Sequence, residues 1–372
     1  MKTILYSFAL ILLMSCGEVS TSPAKPSFSS AVGVSSGSID IPNSNGNLGS
    51  NTTSTISNNN NSSGNSTTYT SCSYNPKIIG FHVANSKNPA LAALPYLTHL
   101  FLFSITPAAD GSFANYSAGG RNRWLEIIPE AKKQGVKVFA TIGGAGELKS
   151  GHFSKIMASA SLRENLINAS MDEVKALDLD GIDIDWEFPK TDADMDNFII
   201  LLADLKAKLN AEGKELSVDL DRSPRASVGA KALFKIGLLE AVDFINLMTY
   251  DHSLRNGDYE ATLYNINEYI EAGVPYDKMN FGVPFYGRKG NFTMDYFNIV
   301  LSYEPSPDSD EQSDYYYNGI TTLKKKVDYV VDNKMQGLMI WELSQDVTYN
   351  DLYMKYALLP AIHKQFQNRC GS

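Results

Sequence analysis

"DGIDIDWEFP", Asp180–Pro189, decides how the fold is read. Ile182, Ile184 and Trp186 alternate with Asp183, Asp185 and Glu187. A period of two is that of a β-strand, so the apolar side chains share one face and the acids the other, about 6.5–7 Å apart at each step. The apolar face suits packing against a layer of helices. The acids must then look into an interior. Asp180 is out of phase and is read as capping the strand entrance.

Seven more β-rich runs flank this one, at 77–83, 98–105, 136–142, 215–220, 242–249, 279–286 and 336–342. Between them lie helical patterns such as 161–177 and 192–213, and 349–366 reads as a last helix. Alternating strands and helices point to a parallel α/β fold. Eight such units over residues 71–372 fit a (β/α)8 TIM barrel, which runs to about 250 residues before insertions. An open doubly wound sheet would more often show six strands and a Gly-rich first turn. In a barrel the chemistry sits at the C-terminal ends of the strands. Those ends hold Asp185 and Glu187, Tyr250 and Asp251, Tyr286 and Arg288, and Trp341 and Glu342.

Inward carboxyls cannot all ionise cheaply, because burial and like charge both favour the protonated form. Glu187, the outermost, is the natural proton donor near neutral pH, with Asp185 below it to accept a hydrogen bond or share a proton. A calcium loop also spaces acids two apart, but it intersperses Gly and polar residues rather than Ile and Trp. A purely structural acid cluster needs a neighbouring base, and none is near in sequence. Catalysis is the reading taken.

The 372 residues carry 32 Lys and Arg against 41 Asp and Glu, a net charge of −9. That balance argues against a nucleic-acid partner, which needs clustered cations. The five His show no metal-ligand spacing, and neither a metal nor a cofactor is expected. The N-terminal "MKTILYSFALILLMSC" places one Lys before an apolar run too short to span a bilayer, which reads as an export signal over residues 1–16. "LMSC" resembles a bacterial lipobox, in which Cys16 becomes the lipidated first residue; an ordinary signal peptide with an incidental Cys is the alternative. Residues 17–70 hold 37 Ser, Thr, Asn or Gly among 54 positions. Such a segment cannot bury enough apolar area to order itself and is read as a disordered tether. The expectation is an exported lipoprotein at the outer membrane or cell surface, monomeric, touching membrane only through its lipid. Cys72 precedes the first strand and Cys370 lies at the extreme C-terminus, past the last helix; first strand and last helix are neighbours in a closed barrel, so a disulfide between them is geometrically reasonable, with two free thiols the alternative.

"DGIDIDWE" resembles the DxxDxDxE signature of the family-18 glycoside hydrolases, the chitinases and endo-β-N-acetylglucosaminidases. "ATIGG" (140–144) resembles the family's SxGG, with Thr141 for Ser. "NLMTYD" (246–251), "FGVPFYGR" (281–288) and "GLMIWELSQD" (337–346) resemble its sixth, seventh and eighth strands, in that order. The resemblance implies substrate-assisted, retaining hydrolysis of β-1,4-linked N-acetylglucosamine oligosaccharides. Glu187 would be the general acid/base, and Asp185 would turn to hold the acetamido N–H and share charge with Asp183. Tyr250 would bond the acetamido carbonyl, and Trp341 would form the apolar floor. Asp251 and Tyr286 are implied sugar-binding residues, though Tyr286 and Arg288 could merely pin the seventh loop. Met248 belongs to the same motif and is either cleft wall or barrel packing.

Trp186 leans toward chitinases within the family, and cleavage of N-glycan cores is the runner-up. A non-catalytic glycan-binding protein is the rival class, which the presence of Glu187 opposes. Two departures stand out. The fifth strand ends "VDLDRSPR" (218–225), so Asp219 or Asp221, with Arg222, could line the cleft. Between the seventh and eighth strands there is little room for the insertion that deepens many chitinase clefts, and 295–320 reads as a loop-rich, Tyr-rich stretch. A shallow, non-processive enzyme for soluble oligosaccharides is expected.

Overall fold

The computed structural model describes residues 72, 74–83, 90–113, 118–225, 234–252 and 255–371, all within one compact unit, Asn65–Ser372. The expected signal, Cys16 and the whole of the expected tether, residues 17–70, lie outside the described residues. The chain runs through β1 (Lys77–Val83), β2 (His99–Ile105), β3 (Lys137–Gly144), β4 (Gly181–Trp186), β5 (Glu215–Asp221), β6 (Phe244–Met248) and β7 (Met279–Pro284). Four short strands follow, β8 (Tyr286–Lys289), β9 (Phe292–Asp295), β10 (Glu311–Gln312) and β11 (Tyr315–Tyr316), and then β12 (Gly337–Trp341). β1 to β7 and β12 are parallel neighbours in the closed order β1-β12-β7-β6-β5-β4-β3-β2. This is the (β/α)8 barrel expected from the alternation of strands and helices.

Two apolar layers hold it. Inside, Ile79, Phe81, Phe101, Phe139, Phe244 and Met339 fill the barrel below the mouth. The Phe101 and Phe139 rings stack with centroids 4.7 Å apart. Outside, the opposite face of each strand meets the helices. On β4 these are Ile182, Ile184 and Trp186, the last between Phe153 (5.5 Å) and Phe198 (5.3 Å). Asp180 lies at the entrance, its carboxylate accepting the Val138 N–H at 2.8 Å.

Helix starts follow local chemistry. Ser159 caps Ala160–Leu177, and Thr191 with Asp194 forms a capping box for Asp192–Ala211. The last helix differs from expectation: it is Leu358–Cys370, preceded by a short 3-10 turn at Met354–Tyr356. Pro360 is tolerated only in a first turn. The buried Asp346 carboxylate accepts the N–H groups of Leu358 (3.1 Å) and Leu359 (3.0 Å), fixing the start there. Between β5 and β6 the described residues form a 3-10 segment, Ile236–Ala241, in place of an α-helix.

The run 279–286 is not one strand. It breaks at Phe285, whose N–H donates to the Trp341 carbonyl at 2.8 Å, and β8 leaves the barrel. Nor is 295–320 mainly loop: helix Tyr296–Tyr303 and a four-stranded sheet in the order β10-β11-β8-β9 occupy the seventh loop. The insertion is present but small.

A disulfide joins Cys72 to Cys370, closing a loop of 298 residues. A cross-link over so long a loop contributes about 2–5 kcal/mol by restricting the unfolded chain. Replacing both cysteines by Ser should lower Tm by roughly 5–15 °C, given about 2–4 °C per kcal/mol at this size. An unchanged Tm in calorimetry would mean the link adds nothing.

Candidate active site

β4 delivers the site. All six of its residues are buried, and its alternation sends Asp183 and Asp185 inward, 0% and 3% exposed. Glu187 follows one step beyond the strand and is half-buried at the mouth. Its backbone N–H donates to Ser150 Oγ at 3.1 Å, and Ser150 Oγ donates to the Gly144 carbonyl at 2.7 Å. The turn after β3 thus clasps the end of β4. That clasp needs Gly143: at φ +113°, a Cβ would lie 2.0 Å from the Asp185 carbonyl oxygen.

Asp183 is the deepest acid. Thr141 Oγ1 and Ser217 Oγ donate to its two oxygens at 3.0 and 2.6 Å. Burial nonetheless raises its pKa to about 6. Asp185 is held well above the ordinary carboxylate range, by burial first and then by the Glu187 and Asp183 charges. Glu187 is pushed up to about 7, chiefly by burial, with Asp221 and Asp251 adding to it. Its hydrogen bond with Asp185 and the Lys149 ammonium pull the other way. Asp185 Oδ1 is buried with no hydrogen-bond partner among the described residues. An acid that stays protonated near neutrality, above a buried acceptor left open, can deliver a proton and receive an N–H.

Asp185 and Glu187 open into a cavity of about 220 Å³, with Asp183 buried below it. Tyr250, Asp251 and Met248 form one wall from the end of β6; Tyr286 and Trp341 come from β8 and β12. The Trp341 indole packs on Phe103 (4.6 Å) and Phe81 (5.5 Å). Tyr250 meets Tyr286 edge to face at 6.4 Å. Met248 does both things open to it, packing on the inner aromatic cluster and lining the cavity. Tyr286 Oη donates to Asp251 Oδ1 at 2.5 Å, and Arg288 reaches the same oxygen at 2.7 Å. Of the fifth-strand acids, Asp219 lines the cavity. Arg222 instead donates to the Asp251 carbonyl at 3.1 Å. Trp186 points out into the helix layer between Phe153 and Phe198 and is not among the residues lining this cavity.

Lys149 was not anticipated. It lines the cavity, with Nζ 4.0 Å over the Phe103 ring and 2.7 Å from Ser104 Oγ. Its one sequence signal is position, six residues past the "TIGG" glycine pair's start at Gly143. Phe103 was legible from the phase of β2, where it shares the inward face with Phe101. A cavity of similar volume beside Leu343, Val347 and Tyr349 carries no carboxyl.

A closed parallel barrel whose fourth strand carries stacked carboxyls to an aromatic mouth is the architecture of a glycoside hydrolase. The chain belongs to the glycosyl hydrolases family 18, whose family model matches residues 49–346. Endochitinase 1 of Metarhizium robertsii is 26% identical over 60% of this chain and 64% of its own length. Chitinase A1 of Niallia circulans is 31% identical over 41% of this chain and 27% of its own length. The chain therefore spans less than two thirds of either relative. A mutant class V chitinase of Nicotiana tobaccum, solved in complex with NAG4, superposes with a TM-score of 0.67 at 21% identity, covering 78% of this chain and 99% of that one.

Proposed function

We propose that this chain hydrolyses β-1,4-linked N-acetylglucosamine oligosaccharides with retention, using the substrate's own acetamido group as nucleophile. The observation that carries the reading is the pairing of Glu187, its pKa raised to about 7, with the open Oδ1 of Asp185 beneath it. Glu187 gives its proton to the glycosidic oxygen as the C1–O bond breaks. The acetamido oxygen closes on C1, and the positive charge that develops on its nitrogen is met by Asp185. Tyr250 bonds the acetamido oxygen, and Trp341 offers a flat floor to the pyranose. Glu187, now ionised, takes a proton from water, whose oxygen opens the ring from the face the leaving group left. The names of the relatives, chitinases throughout, support chitin-like substrates. The small insertion between β7 and β12 supports soluble oligosaccharides over crystalline polymer. The disulfide supports work outside the reducing cytoplasm, in line with an exported, lipid-anchored chain.

Mass spectrometry of chitohexaose incubated with the full chain tests this. Dimers and trimers are expected from the wild type alone, beside Glu187→Gln as control. An untouched hexamer together with cleavage of an N-glycan core would move the substrate to the glycan. Binding of both without cleavage would overturn the enzymatic reading.

A further inference from the structure

The mechanism above leaves one buried acid without a task. Asp219 lies on β5 in register with Asn246 of β6, and two residues beyond Ser217, which bonds Asp183. It is 4% exposed. Its Oδ1 accepts from Asn246 Nδ2 at 2.9 Å, and the same nitrogen lies 3.5 Å from Asp183 Oδ1. Asn280 Nδ2 donates to Asn246 Oδ1 at 3.0 Å, which fixes the amide's orientation. One amide nitrogen therefore spans two buried carboxyls and brings them close together. Two buried carboxyls sharing one donor cannot both ionise cheaply, so one of them keeps a proton. Asp183 already accepts from Thr141 and Ser217, so it is the better anion. The proton then belongs to Asp219.

The other charged and titratable groups facing Asp219 agree. They are Asp183 and Asp185 from β4, whose charges add to burial in favouring a neutral Asp219, and the uncharged Tyr250 at the end of β6. Lys149 is the one cation among the described residues lining the cavity, and its ammonium donates to Ser104 Oγ on β2. Asp185, for its part, feels the Glu187 charge more than that of Asp183.

We propose that Asp219 is a positioning residue: it stays protonated, donates to Asp183, and so occupies the place Asp185 would otherwise turn down to fill, leaving Asp185 facing the cavity before substrate arrives. This rests on the hydrolytic reading above. It changes one step of it, because Asp185 need not reorient to meet the acetamido N–H.

Asn at 219 keeps a donor and the shape; Ala keeps neither. The experiment compares Asp219→Asn and Asp219→Ala by the pH dependence of kcat and kcat/KM on chitohexaose. It adds the 13C carboxyl signal of Asp219, assigned by its loss in Asp219→Asn. The Ala variant should lose about tenfold or more in kcat with KM changed less than about threefold, and the Asn variant should recover most of that loss. The basic limb of kcat/KM should stay in place in the Asn variant and move to lower pH in the Ala variant, where Asp183 becomes protonated and Glu187 gives up its proton more readily. The carboxyl signal should remain that of a neutral acid from about pH 5 to 8. A signal titrating as an ordinary carboxylate, or a basic limb displaced by Asp219→Asn itself, would overturn the proposal. If the Ala variant does not fold, the Asn variant and the carboxyl signal still decide. If the wild type cleaves nothing, the hydrolytic reading fails while the signal continues to report on Asp219.

Discussion

Glu187→Gln lowers kcat by about 10²–10⁴-fold, the usual worth of a positioned general acid, and leaves KM within about threefold. Gln has the shape of Glu and keeps the backbone N–H held by Ser150, so sugar contacts persist while the proton is lost. Wild-type kcat/KM should fall as pH rises through about 7, where Glu187 ionises, and the Gln variant should lack that limb. Stability carries the same signature. The folded-state pKa is raised above the ordinary value of 4.5, so the folded protein binds this proton more tightly than the unfolded chain. Stability from the protonated group is complete below about 4.5 and is lost as pH rises through about 7. Gln cannot ionise, so the variant's Tm should gain on the wild type between pH 5 and pH 8. A variant retaining more than about one-hundredth of the wild-type rate would remove Glu187 from the acid's role.

The centre of this site was legible because strand alternation is the simplest of periodicities. Six residues, Ile182 to Glu187, give two faces, and the structure keeps both faces as read. Tyr250 and Trp341 were legible because the barrel puts strand ends at one mouth. What stayed hidden depends on partners far away in the chain. The last helix starts at Leu358 because Asp346, twelve residues upstream, supplies the cap. Strands β10 and β11 are two residues each, too short for any pattern to show. Lys149, on the helical turn after β3, is placed by Phe103 and Ser104 of β2, contacts that no local spacing encodes. Asp219 was visible as a charge out of place, but its meaning depends on Asn246, which sits inside a motif and drew no notice for its own amide.

That same dependence on neighbours makes Asp185 the sharpest test of substrate assistance. Asp185→Asn should lower kcat by about 10²–10³-fold, the scale for removing one preorganised electrostatic group, with KM little changed. The carboxyl's open Oδ1 is buried at the base of the cavity, and burying an unpartnered acceptor costs about 1–3 kcal/mol. An acetamido N–H would satisfy it. As the acetamido oxygen attacks C1, positive charge grows on that nitrogen, and an anion beneath it gains strength only then. Asn still offers a neutral oxygen to the ground-state amide, so binding survives, but it cannot become an anion. The effect should therefore fall on kcat. It should also be strongly non-additive with Glu187→Gln, because once the leaving group is not protonated the ring closure that Asp185 assists no longer occurs at a useful rate. A loss in KM equal to that in kcat would make Asp185 a binding residue. Full additivity in the double variant would mean that the two acids act in separate steps, and the acetamido group would lose its place as the nucleophile.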